Sequence, residues 1–291
     1  MRGWLALAAT VLAALPLPGP VHAPQQPSFS SGALGVRVDV LVTDGRHPVG
    51  GLTALDFELR DDGVVQTVTV MDVTDVPVNA VLALDTSASI AGTRQVDLVA
   101  ASYAFLDGLK AADRAALTTF SHAVAPRIPL TSDIPVVRAE LRRIVPSGRT
   151  AVLDGVYVAL VTTLSEPGRS LVVVCTDGAD TSSWLQAEEV LESAKRSNAV
   201  IYAVTAADAR RSSSLDDLTD ATGGQVLQVK SSADLRGAFQ KILQQFRSRY
   251  TLTYSPEGVP AGGFHRLDVR AKRRGLNVRA RQGYIGVGPA K

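Results

Sequence analysis

Ala80-Val-Leu-Ala-Leu84 is an unbroken apolar run that stops at Asp85-Thr86-Ser87-Ala88-Ser89, a carboxylate followed by hydroxyls at every second position. A strand with no polar face must be buried on both sides, as happens when helices cover both faces of a parallel sheet. Outward from this stretch the rhythm continues. Gln95 to Leu109 reads as a helix, Ala115 to Phe120 as a strand, Ile134 to Ile144 and Leu153 to Leu164 as helices, and Leu171-Val-Val-Val-Cys175 as a second apolar strand. Gln186 to Arg196, Val200 to Val204, Ser214 to Ala221 and Leu235 to Phe246 follow as helix, strand, helix and helix. The expected architecture over residues 78–246 is α/β, a doubly wound, mostly parallel sheet.

On either side of that segment the period changes to two. Val36 to Val42 alternates as a strand, Asp44-Gly45 and Asp62-Gly63 supply turns, and Val64 to Val73 reads as one further strand. After the helical region, Tyr250 to Tyr254, Arg266 to Arg270 and Leu276 to Arg279 alternate again. Neither flank alone has enough strands to bury a face. Residues 33–76 and 250–287 are therefore expected to form the two halves of one small β-sandwich into which the α/β domain is inserted.

Residues 1–23 have the form of a secretory signal: Arg2, an apolar stretch of about 14 residues that is too short to span a bilayer, a Pro-Gly-Pro break, and Val21-His22-Ala23 as a cleavage sequence. Pro24 disfavours a cut directly before it, and an uncleaved segment would tether the chain to the membrane. Residues 24–32, rich in Pro, Gln and Ser, read as a flexible lead-in. The expected location is outside the cytoplasm, periplasmic or secreted. With 46% hydrophobic and 20% charged residues the composition is globular, not that of a disordered chain or a multi-pass membrane protein. Thirty basic against 28 acidic residues, and 29 once Arg2 is removed, provide no basic field for nucleic acid. The single cysteine, Cys175, excludes an internal disulfide and any cysteine-based metal cluster, and its apolar strand makes it a buried thiol.

Asp85, Ser87 and Ser89 stand at the carboxyl end of a strand, where open parallel sheets place their ligands. One carboxylate and two hydroxyls on the same side of a loop offer hard oxygen donors with a single negative charge, a set suited to magnesium or a similar cation. Two further loops complete it: Gly148 to Gly155 offers Thr150 ahead of a helix, and Thr176-Asp177-Gly178-Ala179-Asp180-Thr181 offers Asp177 directly after the Val-rich strand. Singly, each of these sequences is an ordinary turn or helix cap.

In this order, Asp-x-Ser-x-Ser, then Thr, then Thr-Asp-Gly, the chain resembles the metal-ion-dependent adhesion site (MIDAS) of von Willebrand factor type A (VWA) domains. The resemblance implies a Rossmann-like fold in which Asp85, Ser87, Ser89, Thr150 and Asp177 contact a divalent cation, some through water. The flanking Leu52-Thr-Ala-Leu-Asp-Phe57 with Asp62-Gly63, and Arg279-Ala-Arg-Gln-Gly-Tyr284, resemble the VWA-related acidobacterial subgroup. The implied function is a non-catalytic recognition module that binds magnesium, or manganese or calcium in its place, and takes an Asp or Glu of a partner protein. Two aspartates against a divalent cation leave the site near neutral, so an incoming carboxylate is not repelled.

A structural envelope subunit whose metal only stiffens the loops is the first alternative. An Asp85-dependent hydrolase or phosphotransferase is the second, weakened because position 87 is Ser where such phosphotransferases carry a second Asp. There is no Gly-x-Ser-x-Gly elbow and no phosphate loop with a lysine. Asp180 is expected to act locally, either as an acceptor behind the ligand loop or as a cap for a helix starting near Trp184, and Asp154 as a helix-start charge. His47, His122 and His265 read as surface residues, and Lys272-Arg273-Arg274 before Gly275 as a solvated hairpin tip.

Overall fold

Among the described residues, five strands come first: Val36–Asp44 (β1), His47–Pro48 (β2), Phe57–Asp61 (β3), Val64–Gln66 (β4) and Thr69–Met71 (β5). This is a computed structural model, describing residues 35–286 except Ser165 and residues 208–211. The expected signal and lead-in lie outside the described residues. The α/β segment follows as Val78–Asp85 (β6), Thr93–Asp107 (α1), Arg114–Phe120 (β7), Val124–Thr131 (β8), Ile134–Leu141 (α2), Val152–Thr163 (α3) and Arg169–Thr176 (β9). It continues with Ala187–Arg196 (α4), Val200–Ala206 (β10), Ser213–Thr222 (α5), Gln225–Val229 (β11) and Leu235–Arg247 (α6). Tyr250–Tyr254 (β12), Gly263–Ala271 (β13), Asn277–Arg279 (β14) and Gly283–Gly286 (β15) close it.

The central sheet has the order β11-β10-β9-β6-β7-β8, parallel except for β8. Its apolar runs face both ways. Ala80, Leu82 and Leu84 of β6 join Leu171, Val173 and Cys175 of β9 in a core with Leu98 and Phe105 of α1 and Phe239 and Ile242 of α6. The intervening Val81, Ala83, Val172 and Val174 pack instead against Val156 and Leu160 of α3, Val190 of α4 and Leu215 of α5. This alternation between two cores is why neither strand carries a polar residue in its middle. Burial pushes the Cys175 thiol far above its ordinary range, so it stays protonated.

Two antiparallel sheets come from the flanks, one ordered β14-β1-β12-β5 with β2 also on β1, the other β15-β13-β3-β4. They share one core, with Val38, Val40 and Leu252 from the first meeting Phe57, Leu59 and Leu267 from the second. The expected single strand at 64–73 is in fact two. β4 pairs with β3, whereas β5 pairs with β12 in the other sheet, so the chain crosses between layers at Thr67-Val68. Asp62 (φ 45°) and Gly63 (φ 84°) make the two-residue turn joining β3 to β4, a conformation that Asp tolerates and Gly adopts without cost. Lys272-Arg273-Arg274 is exposed as expected, but it links β13 to β14 in different sheets and is not a hairpin tip.

His265 is not a surface residue. It is buried on β13, with Nδ1 2.9 Å from Asp61 Oδ1 and its ring stacked on Tyr284 at 4.6 Å between centroids. Asp61 Oδ2 accepts from the hydroxyls of Tyr254 (2.8 Å) and Tyr284 (2.9 Å), and Asp62 Oδ1 accepts from the Arg266 backbone N–H (2.9 Å). Burial, reinforced by the Asp61 hydrogen bonds, pushes both tyrosine hydroxyls well above their usual range. Asp61, Asp62 and His265 have the residue types and closeness of a metal site. The Asp61 and His265 groups that face each other are already mutually satisfied, however, and the network serves to join β3, β12, β13 and β15.

Candidate metal centre

Asp85 ends β6 with no exposed surface. Its Oδ1 accepts from the Ser87 backbone N–H at 2.8 Å and its Oδ2 from the Thr176 hydroxyl at 2.6 Å, so the two strand-end loops are tied through this carboxylate. Burial pushes the Asp85 carboxyl above the ordinary carboxylate range. Hydrogen bonds from Ser87 and Thr176 oppose the shift, and the nearby Asp177 charge adds to it.

From Asp85 a chain of hydroxyls crosses the site. Ser87 Oγ lies 3.0 Å from Ser89 Oγ, and Ser89 Oγ donates to Asp177 Oδ1 at 2.8 Å. The other Asp177 oxygen accepts from the Arg94 guanidinium in the first turn of α1. Thr150 is buried and held by the loop after β9: Thr181 N–H donates to its carbonyl at 2.8 Å, and its own N–H donates to Thr181 Oγ1 at 3.2 Å. Its hydroxyl faces that loop, since a side-chain carbon added at Gly178 would stand 3.8 Å from Thr150 Oγ1. The backbones interlock as well, with Thr86 N–H donating to Phe120 O (2.7 Å), Ser147 N–H to Thr86 O (2.8 Å) and Ala88 N–H to Gly148 O (3.1 Å).

The structure thus brings Asp85, Ser87, Ser89 and Asp177 into one bonded cluster and sets Thr150 beside it. Asp180 accepts from Leu153 N–H at 2.9 Å and from Ser183 N–H at 3.0 Å. It therefore caps α3 and not a helix near Trp184, where α4 begins only at Ala187. Asp154 accepts from Trp184 N–H (3.0 Å) and Leu185 N–H (3.0 Å), pinning the same loop. Two residues of the cluster escaped the sequence reading. Thr176 fixes the Asp85 carboxylate, and its signal was its place directly before Asp177. Arg94 pairs with Asp177, and its signal was a cation in the first turn of a helix, where the dipole disfavours one.

A doubly wound α/β domain with an oxygen-lined site at the carboxyl ends of its strands is the class that fold and cluster define. Residues 79–242 match the von Willebrand factor type A domain, and the chain belongs to that family. No curated protein matches it. Among solved structures it is similar to a von Willebrand factor type A protein from Catenulispora acidiphila (14% identity, 89% of this chain, 75% of that one, TM-score 0.54). It is also similar to proximal thread matrix protein 1 of the mussel byssus with a zinc-occupied MIDAS motif (15% identity, 66% of this chain, 50% of that one, TM-score 0.57). A third likeness is to an aerotolerance-related membrane protein from Bacteroides fragilis (20% identity, 58% of this chain, 98% of that one, TM-score 0.49). At these identities the first two likenesses show the fold alone.

Proposed function

We propose that the chain is an exported, non-catalytic recognition module in which Asp85, Ser87, Ser89, Thr150 and Asp177 hold a divalent cation and a partner's Asp or Glu completes its shell. The observation that carries this reading is the run of oxygens from Ser87 through Ser89 to Asp177, each within 3.0 Å of the next. Hard, mostly neutral oxygens with two carboxylates suit magnesium first, with manganese or calcium as substitutes. The zinc in the mussel protein adds zinc to the ions worth testing. Both oxygens of Asp85 are engaged by Ser87 and Thr176, which favours a fixed ligand over a nucleophile.

Residues 78–246 would be the recognition domain, and the two flanks, 33–76 and 250–287, its platform. Placing the chain in the acidobacterial subgroup rests on the resemblance of residues 52–57 with Asp62-Gly63 and of residues 279–284. Export rests on the signal-like residues 1–23. Among the described residues no helix is long and apolar enough to cross a membrane.

The test is a pull-down from the exporting cell's envelope in magnesium, in chelator, and with Thr150→Ala. Partner capture should depend on the ion and on Thr150. Equal capture under all three conditions places recognition elsewhere. Arg94 gives a second handle, because its guanidinium competes with any cation for Asp177. Arg94→Ala is expected to raise magnesium affinity several-fold, about 1 kcal/mol at the distances of a solvent-facing pair. Calorimetry showing weaker magnesium binding in that variant would contradict the competition.

A further inference from the structure

Helix α3 reads Val152-Leu-Asp-Gly-Val-Tyr-Val-Ala-Leu-Val-Thr-Thr163 and carries a single charged residue, Asp154. Its inner face, with Val156, Ala159 and Leu160, packs on the central sheet. Its outer face is apolar as well: Tyr157, Val161 one turn on, and Leu164 at the helix end are all exposed. The neighbouring α4 covers the same side of the sheet, yet its exposed positions are Glu188, Glu189, Glu192 and Arg196. A surface helix normally turns charge outward as α4 does, and a helix that is apolar all round is one buried on all sides. Among the described residues the chain buries only the inner of the two apolar faces of α3.

At its amino-terminal end the open face runs into a groove of about 390 Å³ lined by His122, Val124, Tyr157, Val158, Trp184 and Leu185 among others. Trp184 is 87% exposed, a large aromatic surface of the kind that dominates binding energy once a partner covers it. Asp154 also borders the groove, but its Oδ2 accepts from Trp184 N–H and its Oδ1 from Leu185 N–H, so its carboxylate is already engaged. What a ligand meets is therefore mainly aromatic and aliphatic. The groove is bonded to the candidate metal centre on both sides. Ala151 N–H, next to Thr150, donates to the carbonyl of Ser121, the residue before His122 (2.8 Å), and Ser182 N–H, two positions before Trp184, donates to Thr150 O (3.2 Å). Both walls thus start from Thr150. The helical rise puts Tyr157 about 10 Å beyond Thr150, a span that an extended segment covers in about three residues. The outward Glu188, Glu189 and Glu192 of α4 would oppose an anionic lipid surface, which leaves a protein as the fitting cover.

On the metal-centred reading above, we propose that this groove and the outer face of α3 are where the protein partner docks, with a bulky apolar side chain of the partner seated against Trp184 about three residues from the carboxylate that reaches the cation.

The probe is a library of random linear peptides displayed on phage, selected on the full chain in magnesium and again in chelator. Selected sequences should pair an Asp or Glu with a Trp, Phe, Leu or Ile about three positions away. Synthetic copies should bind Trp184→Ala roughly 10- to 30-fold more weakly than the parent, the loss that a central aromatic anchor entails. That substitution trims an exposed side chain and keeps the backbone N–H that Asp154 accepts, so the fold has little to lose. In a Trp4→Phe chain Trp184 is the one remaining indole, and its fluorescence should move to the blue as a peptide takes it out of water. Peptides enriched in acid alone, or bound equally by the parent and Trp184→Ala, would overturn the groove and leave the metal-centred reading standing. Apolar peptides without an acid, bound equally in chelator, would refute the metal-centred reading and with it the paired docking proposed here. A selection that yields no binder, or sedimentation showing self-association that Trp184→Ala abolishes, would also overturn the proposal, the second by assigning the face to another copy of the chain.

Discussion

Replacing Asp85 by alanine is expected to abolish magnesium binding, with affinity falling more than about 100-fold, since changes even to groups behind a metal's ligands cost 10- to 100-fold. The residue supplies one of two negative charges in the cluster and has no exposed surface, so no solvent-held group can take its place. It also anchors Ser87 N–H and the Thr176 hydroxyl, so its loss loosens both strand-end loops. Asp85→Asn separates the effects. The amide keeps an oxygen for one of these bonds but removes the charge, and should lose most of the affinity with little loss of stability. Calorimetry that finds the parent's magnesium affinity in Asp85→Ala would refute the ligand assignment.

Asp61→Ala is expected to destabilise the sandwich by about 3 to 5 kcal/mol, the scale for removing one partner of a buried charged network. The substitution strands the buried Tyr254 hydroxyl and His265 Nδ1, and takes its acceptor from the half-buried Tyr284 hydroxyl. For a chain of this size the first unfolding transition should drop by about 10 °C. Magnesium affinity should be unaffected, because the network lies in the flanking sheets and not at the strand ends that carry Asp85 and Asp177. A melting profile identical to the parent's would show that the network adds nothing to stability.

Much of the α/β layer was legible because its signals are local and physical. An apolar run with no polar interior, as in Leu171 to Cys175, has few resting places other than a sheet covered on both faces. Two of its strands carried no such signal. β8 contains Pro126 and Pro129, which read as strand breakers and are tolerated here because β8 lies at the sheet's antiparallel edge. β11, Gln225–Val229, is a short edge strand bracketed by polar residues and lacks the Val-rich run that marked β6 and β9. In the flanks, alternation revealed strands but not which sheet each joins, so the crossing at Thr67-Val68 was invisible. His265 was misread for a related reason. Its burial depends on Asp61 and Tyr284, 204 and 19 positions away, and no local pattern announces a polar side chain whose partners arrive from elsewhere in the chain. The candidate site was legible in its oxygens, which sit at fixed spacings after strands, but not in Arg94, whose approach to Asp177 exists only once β6 and β9 lie side by side.

The pairing of β1 with β12 also decides how the molecule would carry mechanical load. The two strands are antiparallel, with Val36 opposite Tyr254 and Val40 opposite Tyr250. A tether pulling on the chain ahead of Val36 and a partner pulling on the α/β layer, which connects to β12 at Tyr250, would draw the two strands from opposite ends. Their inter-strand hydrogen bonds lie perpendicular to that pull. The bonds of this ladder would then be sheared together instead of peeled one at a time, and force spectroscopy pulling between those two points would register it as a single high rupture event.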